Sequence, residues 1–385
     1  MSDEVTKWLA RTALPLAGLS AGGPVDDLRP LGEALDGVRI VGLGEATHGT
    51  AEFFRLKHRL LEYLVTEHGF TVLAMEASAS AAPAVDAYVR HGVGDAAEAL
   101  AGLGFWTWRT REMLAVLTWM RAYNKGRPDA AKVRFAGVDP QKCGPSLTAL
   151  DAFLRRTAPD RAAGLLAPLR VLADAAPGSR PDPERRLVHE AGELLEFLRG
   201  TAPEAADAHG HARLLVRAAD VVTRPGRHED PEETVFAARD RYMAEAVGDL
   251  LDDPAARVAL WAHNGHLAKG RYGRAVAAMG HHLHARHGDA YYALGLLFGS
   301  GAFRARRLRR LPWSRRRAGA AVAHRIGPAR PGTLEARLAE AVPGDHLLDL
   351  RGAAGAPRAV REWLKGPHPA RSFGARCPAG PTGCT

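Results

Sequence analysis

Four short apolar runs, each ending at or just before a carboxylate or a histidine, constrain this chain more than any other feature. Val38 to Leu43 (VRIVGL) leads into Gly44-Glu45-Ala46-Thr47-His48-Gly49, and Phe70 to Met75 (FTVLAM) stops at Glu76. Val133 to Val138 (VRFAGV) stops at Asp139-Pro140, and Arg257 to Ala262 (RVALWA) leads into His263-Asn264-Gly265-His266. The first three runs alternate with helical periodicity at Thr50 to His68, Ala81 to Val89 and Arg111 to Asn124, the pattern of parallel βαβ construction. Ligands of open α/β sheets bind beyond the carboxyl ends of the strands. Glu45, His48, Glu76, His263 and His266 are therefore expected to line one pocket despite their separation in sequence, with Asp139 at a further strand end.

From about Ser146 to Asp253 the pattern changes to Ala/Leu/Arg-rich helical periodicity broken by Pro-containing links. Strand character returns at Arg257 to Ala262, Tyr291 to Phe298 and His346 to Leu350. The expected fold is α/β, with a mainly parallel central sheet flanked by helices and a large all-helical insertion. Residues 1–145 read as a first α/β half, 146–253 as a helical insertion or cap bordering the cleft, and 254–385 as a second half with a basic C-terminal region. A chain of 385 residues, 46% of them hydrophobic, is long enough to bury a substantial core.

The formal charge of +9 is unevenly placed, much of it in Arg304 to Arg317 (RARRLRRLPWSRRR). That run reads as a solvated arginine-rich loop or helix end, and no nucleic-acid partner is expected. No stretch approaches the roughly 20 apolar residues that span a bilayer, and the first residues lack a basic-then-apolar leader, so no membrane partner is expected either. Cys143, Cys377 and Cys384 lack the spacing of a zinc or redox motif. A cytoplasmic location fits this cysteine usage.

A histidine titrating near pH 6.5 accepts a proton at neutral pH, and a neighbouring carboxylate fixes its useful tautomer. His48 with Glu45 or Glu76 meets that requirement, and Arg55 on the following helix can stabilise an oxyanion. Mixed histidine and carboxylate groups also suit a divalent metal, although neither Glu45-x-x-His48 nor His263-x-x-His266 is the helical zinc-protease motif. No required cofactor is expected, and the metal question stays open. Trp106, Trp108, Arg109 and Asp139 are candidates for substrate binding, with one tryptophan in the core and the other on a cleft wall. His281, His282, His284 and His287 spread over more than one helix face, which fits capping or solvated roles. The chain has no Gly-x-Ser-x-Gly elbow and no cysteine with an adjacent base, so the usual markers of covalent catalysis are missing.

These segments resemble the erythromycin esterase family. The resemblance is carried by GLGEATHGTAEFFRLKHRLLEYL (Gly42 to Leu64), LAMEAS (Leu73 to Ser78), FWTWRTREMLAVLTWMRAYN (Phe105 to Asn124), FAGVDPQ (Phe135 to Gln141), RDRYMAE (Arg239 to Glu245) and WAHNGHLAKG (Trp261 to Gly270). A further stretch, Met279 to Phe303, also fits, so the likeness runs from about residue 38 to 305. It implies hydrolysis of a macrolide lactone or other small-molecule ester by activated water, without a covalent intermediate. Carried over residue by residue, it implies His48 as the base, Glu45 and Glu76 as its acidic surroundings, Arg55 as an electrostatic partner, and His263 and His266 on the opposite wall. Two other readings stand beside it. One is a natural-product biosynthetic enzyme using the same groups for acyl transfer, cyclisation or elimination; the other is a haem- or metal-binding protein, suggested by the 17 histidines.

Overall fold

The computed structural model describes residues 2–272, 275–309, 317–373 and 376–378. Strands β1 (Ile40–Leu43), β2 (Val72–Ser78), β3 (Arg134–Asp139), β4 (Val258–Trp261) and β5 (Tyr291–Leu294) form a parallel five-stranded sheet in the order β3-β2-β4-β1-β5. Every residue of β1, β2 and β4 is buried, because the sheet is covered on both faces; uninterrupted apolar runs are the sequence mark of that burial. Strand β4, late in the chain, inserts beside β2 and carries the His263 motif to the strand that bears Glu76.

By its contacts the chain divides into two units, one of Met1–Val38, Leu43–Gly69 and Leu294–Thr385, the other of Arg39–Gly42 and Phe70–Ala293. Two large apolar cores and a smaller one of Val221, Val235 and Ala238 lie in the second unit. Around the sheet, Ile40, Val72, Val138 and Leu260 pack with Met243 and Val247 of the helix Val235–Asp249 and with Leu283 of the helix Met279–His287. A separate core joins the helices Gly144–Thr157, Arg186–Thr201 and Ala206–Thr223 through Leu150, Leu154, Leu194, Leu198 and Leu215. The helices within residues 146–253 thus have two allegiances: those up to Thr223 bury leucines against each other, whereas Val235–Asp249 packs on the sheet.

In the first unit the helix Ala51–His68 ends at Gly69 in the left-handed region, φ 64°, where glycine carries no steric penalty. A three-stranded sheet is built from β6 (Gly301–Arg309), β7 (Arg317–Ile326) and β8 (Arg376–Pro378), with β6 in the middle. The basic run is therefore neither a loop nor a helix end where it is described: Arg304 to Arg309 lie in β6 and Arg317 opens β7, while 310–316 fall outside the described residues. Buried Phe303 and Ala305 alternate with exposed Arg304 and half-buried Arg306, a period of two that only a strand satisfies. His346–Leu348 is also a strand, but it pairs antiparallel with Ala13–Pro15 outside the main sheet. Among the described residues, no helix is long and apolar enough to cross a membrane.

A shift in the β2–β3 register between Met75 and Ser78 places Glu76 inside an irregularity, the device by which strands re-aim a side chain. Gly137 makes room for it, since a β-carbon there would collide with the Ser78 carbonyl. Gly137→Ala is accordingly expected to destabilise the fold by about 1–3 kcal/mol. Gly192→Ala, in the interior of the helix Arg186–Thr201 with open space around the added carbon, is expected to stabilise by up to about 1 kcal/mol. Denaturant midpoints of the two variants should move in opposite directions.

Candidate functional site

Two clusters of ionisable side chains stand out, one in each unit. In the first, the loop after β1 delivers Glu45 and His48, and the helix Ala51–His68 delivers Lys57. His48 Nδ1 meets Glu45 Oε1 at 2.6 Å, and Lys57 Nζ donates to Glu45 Oε2 at 2.7 Å. Glu45 and Lys57 are fully buried, whereas the His48 side chain keeps 12% of its surface exposed. Burial alone would raise the Glu45 pKa, but the Lys57 charge and the His48 hydrogen bond outweigh it and hold the carboxyl below its ordinary 4.5. An ionised carboxylate only accepts hydrogen bonds, so His48 carries a proton on Nδ1.

The loop that carries His48 is pinned. Gly49 N donates to Thr47 Oγ1 at 2.9 Å, Arg304 N donates to the Gly49 carbonyl at 3.0 Å, and Phe373 N donates to the Ala46 carbonyl at 2.6 Å. A side chain at Gly49 would run into the Arg304 carbonyl, which explains glycine at that position without any unusual φ.

The second cluster gathers at the carboxyl ends of β2, β3 and β4. Arg239, near the start of the helix Val235–Asp249, donates through Nη2 to Glu76 Oε1 at 2.8 Å and to Asp139 Oδ2 at 2.7 Å. The backbone amide of His263 donates to Glu76 Oε2 at 3.0 Å, and Gln141 Nε2 donates to Asp139 Oδ2 at 2.7 Å. His266 stands between Asp240, 2.7 Å from Nδ1, and Glu76, 3.3 Å from Nε2. Desolvation disfavours its charge, yet the two carboxylates overcome that and raise its pKa from 6.5 to about 10. Arg239 Nη1 also lies 3.1 Å from His266 Nε2, an approach that suits a neutral ring. The charge balance decides for the cation, because Glu76 and Asp240 both lie against the ring and Asp139 joins them around Arg239. At neutral pH His266 thus has no lone pair to offer and can only donate a proton. His263 caps the short helix Asn264–Leu267, its Nδ1 accepting from Gly265 N at 3.1 Å, which leaves the ring proton on Nε2.

Of the residues singled out in the sequence, Glu45 is thus brought to His48, and Glu76, Asp139, His263 and His266 are brought together around Arg239. The cation on Glu45 is Lys57; Arg55 lies on the exposed side of the same helix. Trp108 is the buried tryptophan, Trp106 is half-buried and Arg109 is exposed. Sequence reasoning missed Lys57, Arg239 and Asp240. A lysine flanked by apolar helix positions was the available signal for the first, and the adjacent Arg-Asp pair at the start of RDRYMAE for the other two. Among the described residues no group of three or more His, Cys, Asp or Glu side chains is arranged to hold a metal ion. On the helix Met279–His287, His281 Nδ1 lies 3.3 Å from the Lys269 carbonyl and His284 Nδ1 3.1 Å from the Gly288 carbonyl. Cys143 is buried, which pushes its thiol up to about 12 and removes it as a nucleophile.

Comparison with known proteins places this geometry in context. The family model for erythromycin esterase matches residues 65–380, a span that includes Glu76, Asp139, Arg239 and His263 to His266 and begins after Glu45 and His48. Erythromycin esterase type II of Escherichia coli is 26% identical over 339 residues, 77% of each chain. A succinoglycan biosynthesis protein of known crystal structure superposes with a TM-score of 0.80 at 24% identity, over 98% of this chain and 92% of that one. A mutant of the erythromycin esterase EreC in its open conformation gives a TM-score of 0.62 at 21% identity, over 84% and 85% of the two chains. At these identities the two structural likenesses are ones of fold.

The pKa shifts predict two opposite pH slopes. Glu45, depressed in the fold, contributes stability above pH 4.5 that is lost as pH falls through its lower folded value. In Lys57→Met the buried carboxylate loses its cation, and the variant should be destabilised by about 3–5 kcal/mol. Burial then raises the Glu45 pKa above 4.5, so its contribution should be lost with rising pH instead. His266, raised to about 10, contributes stability that is complete below pH 6.5 and disappears as pH climbs toward 10. Denaturation midpoints measured across pH should show that alkaline loss in the parent and a flatter limb in His266→Gln.

Proposed function

The chain belongs to the erythromycin esterase family, and on that premise we propose that it is a hydrolase in which His48 activates water against the acyl carbon of a macrolactone or related ester. The observation that carries this reading is the buried relay from Lys57 through Glu45 to His48. Lys57 keeps Glu45 ionised, Glu45 fixes the His48 tautomer, and the remaining ring nitrogen is the base. His48 Nε2 takes a proton from water as the water oxygen bonds to the acyl carbon and the carbonyl electrons move onto oxygen. The resulting imidazolium is stabilised by the Glu45 carboxylate. Collapse of the tetrahedral intermediate re-forms the carbonyl, breaks the bond to the alcohol oxygen and returns the His48 proton to that oxygen. No acyl-enzyme forms. Arg55, on the helix that bears Lys57, is the proposed donor to the oxyanion.

The proposed route needs no metal. His48→Asn should leave the fold intact and slow turnover by roughly 10²-fold or more, with a smaller change in substrate binding. In water enriched with heavy oxygen, a single turnover should place the label in the new carboxylate. Label in the alcohol, an isolable acyl-enzyme, or turnover abolished by chelation and restored by a divalent metal would each contradict the route.

A further inference from the structure

Ten arginines and no acidic residue lie between Asp289 and Glu335, a surplus larger than the +9 of the whole chain, so the remainder of the chain is slightly acidic. Strands β6 and β7 organise the described part of this segment. Arg304 stands opposite Ala323, Arg306 opposite Ala321 and Arg325 opposite Ala302. Directly opposed residues share a sheet face, so the three arginines lie on one face, Arg304 and Arg325 with alanines directly across from them and Arg306 between Ala321 of β7 and Arg376 of β8. Phe303, Ala305 and Ile326 occupy the other face, where they form a small buried core. Arg304 and Arg325 are exposed. The alanine methyls opposite Arg304 and Arg325 do not neutralise these exposed guanidiniums, and their positive field therefore reaches solvent.

The same hairpin is tied to the loop that carries His48. Arg304 N donates to the Gly49 carbonyl at 3.0 Å, the Gly49 α-carbon packs on the Arg304 backbone, and Thr47 bridges to Phe373. Consecutive α-carbons are about 3.8 Å apart. The backbone of Arg304 thus lies on the order of one physiological Debye length, about 8 Å, from that of His48. Charges at that range are only partly screened, and a one-signed surface beside a reactive group raises the local concentration of oppositely charged ligands.

Resting on the reading of His48 as the base of an ester hydrolase, we propose that this arginine face makes the site selective for esters that carry a negative charge. The substrate class is an ester or lactone bearing a carboxylate, sulfate or phosphate on its acyl or alcohol part, in preference to neutral or cationic esters. The guanidinium forks of Arg304 and Arg325 suit such groups by charge-assisted hydrogen bonds, and no carboxylate in this segment competes for them.

The test uses the full chain and aryl esters that share one leaving group but differ in acyl terminus: a free carboxylate, its methyl ester and a trimethylammonium group. At low salt the carboxylate ester should have a kcat/KM about tenfold or more above the neutral one, and the ammonium ester should be poorest. Raising salt from about 0.01 M to about 1 M shortens the Debye length from about 30 Å to about 3 Å and should bring the ratio toward one. Combining Arg304→Gln with Arg325→Gln should lower the ratio at low salt. In parallel, calorimetry with the corresponding non-hydrolysable amides should show tighter binding of the anionic amide, weakened in the double variant. Equal kcat/KM for the anionic and neutral esters, with turnover that still depends on His48, overturns the selectivity and leaves the hydrolase reading standing. Anionic-amide binding that the double variant leaves unchanged overturns it as well. Arginine-dependent binding of the anionic amide without hydrolysis of any ester supports the anion selectivity and removes the hydrolase reading.

Discussion

The buried pair of Lys57 and Glu45 is the interaction on which the His48 site depends. Two opposite charges removed from water are stabilising only when their geometry is close and their remaining hydrogen-bonding capacity is used. The geometry here is close. Lys57 takes one carboxylate oxygen at 2.7 Å and His48 the other at 2.6 Å, and neither ion is exposed. The neighbours of Lys57 on its helix, Phe53, Phe54, Leu60 and Leu61, are also buried. Removing both ions from water offsets much of their attraction, so the pair acts chiefly by fixing orientation. The carboxylate cannot turn away from His48 without abandoning the lysine.

The second cluster solves a different electrostatic problem. Glu76, Asp139 and Asp240 gather near the strand ends, where Arg239 bridges the first two and His266 lies between Glu76 and Asp240. A protonated His266 answers the two carboxylates that flank it, which is why its pKa climbs despite burial. Asp240 does further duty by accepting the amide of Met279 at 2.8 Å, where the helix Met279–His287 begins. Chemistry and architecture share these side chains, so substitutions in the cluster alter folding and reactivity together.

A third constraint is steric. Gly49 and Gly137 stand where a β-carbon would strike backbone carbonyls, of Arg304 and Ser78 respectively. One lets the His48 loop lie against the arginine hairpin, and the other makes room for the β2 irregularity that contains Glu76. Neither needs a positive φ, so glycine is required at both positions for closeness of approach.

The strands of the main sheet were legible in the chain because burial on both faces writes a continuous apolar run, and the helix Arg111–Asn124 was legible because its apolar period is helical. The pairing of Glu45 with His48 was legible for a similar local reason: three residues separate them in one loop. Less could be read where identity alone does not determine a partner. Arg304 to Arg309 looked like a solvated run because their charge masks a two-residue alternation that becomes clear only when Phe303 and Ala305 are seen buried. Lys57, Arg239 and Asp240 looked like ordinary helix residues, since the carboxylates and histidine they meet lie 12, 163 and 26 positions away in the chain. Local periodicity reports which face of an element is buried. Which charge waits on that face depends on how distant segments pack, and a titrating group takes its pKa from those neighbours.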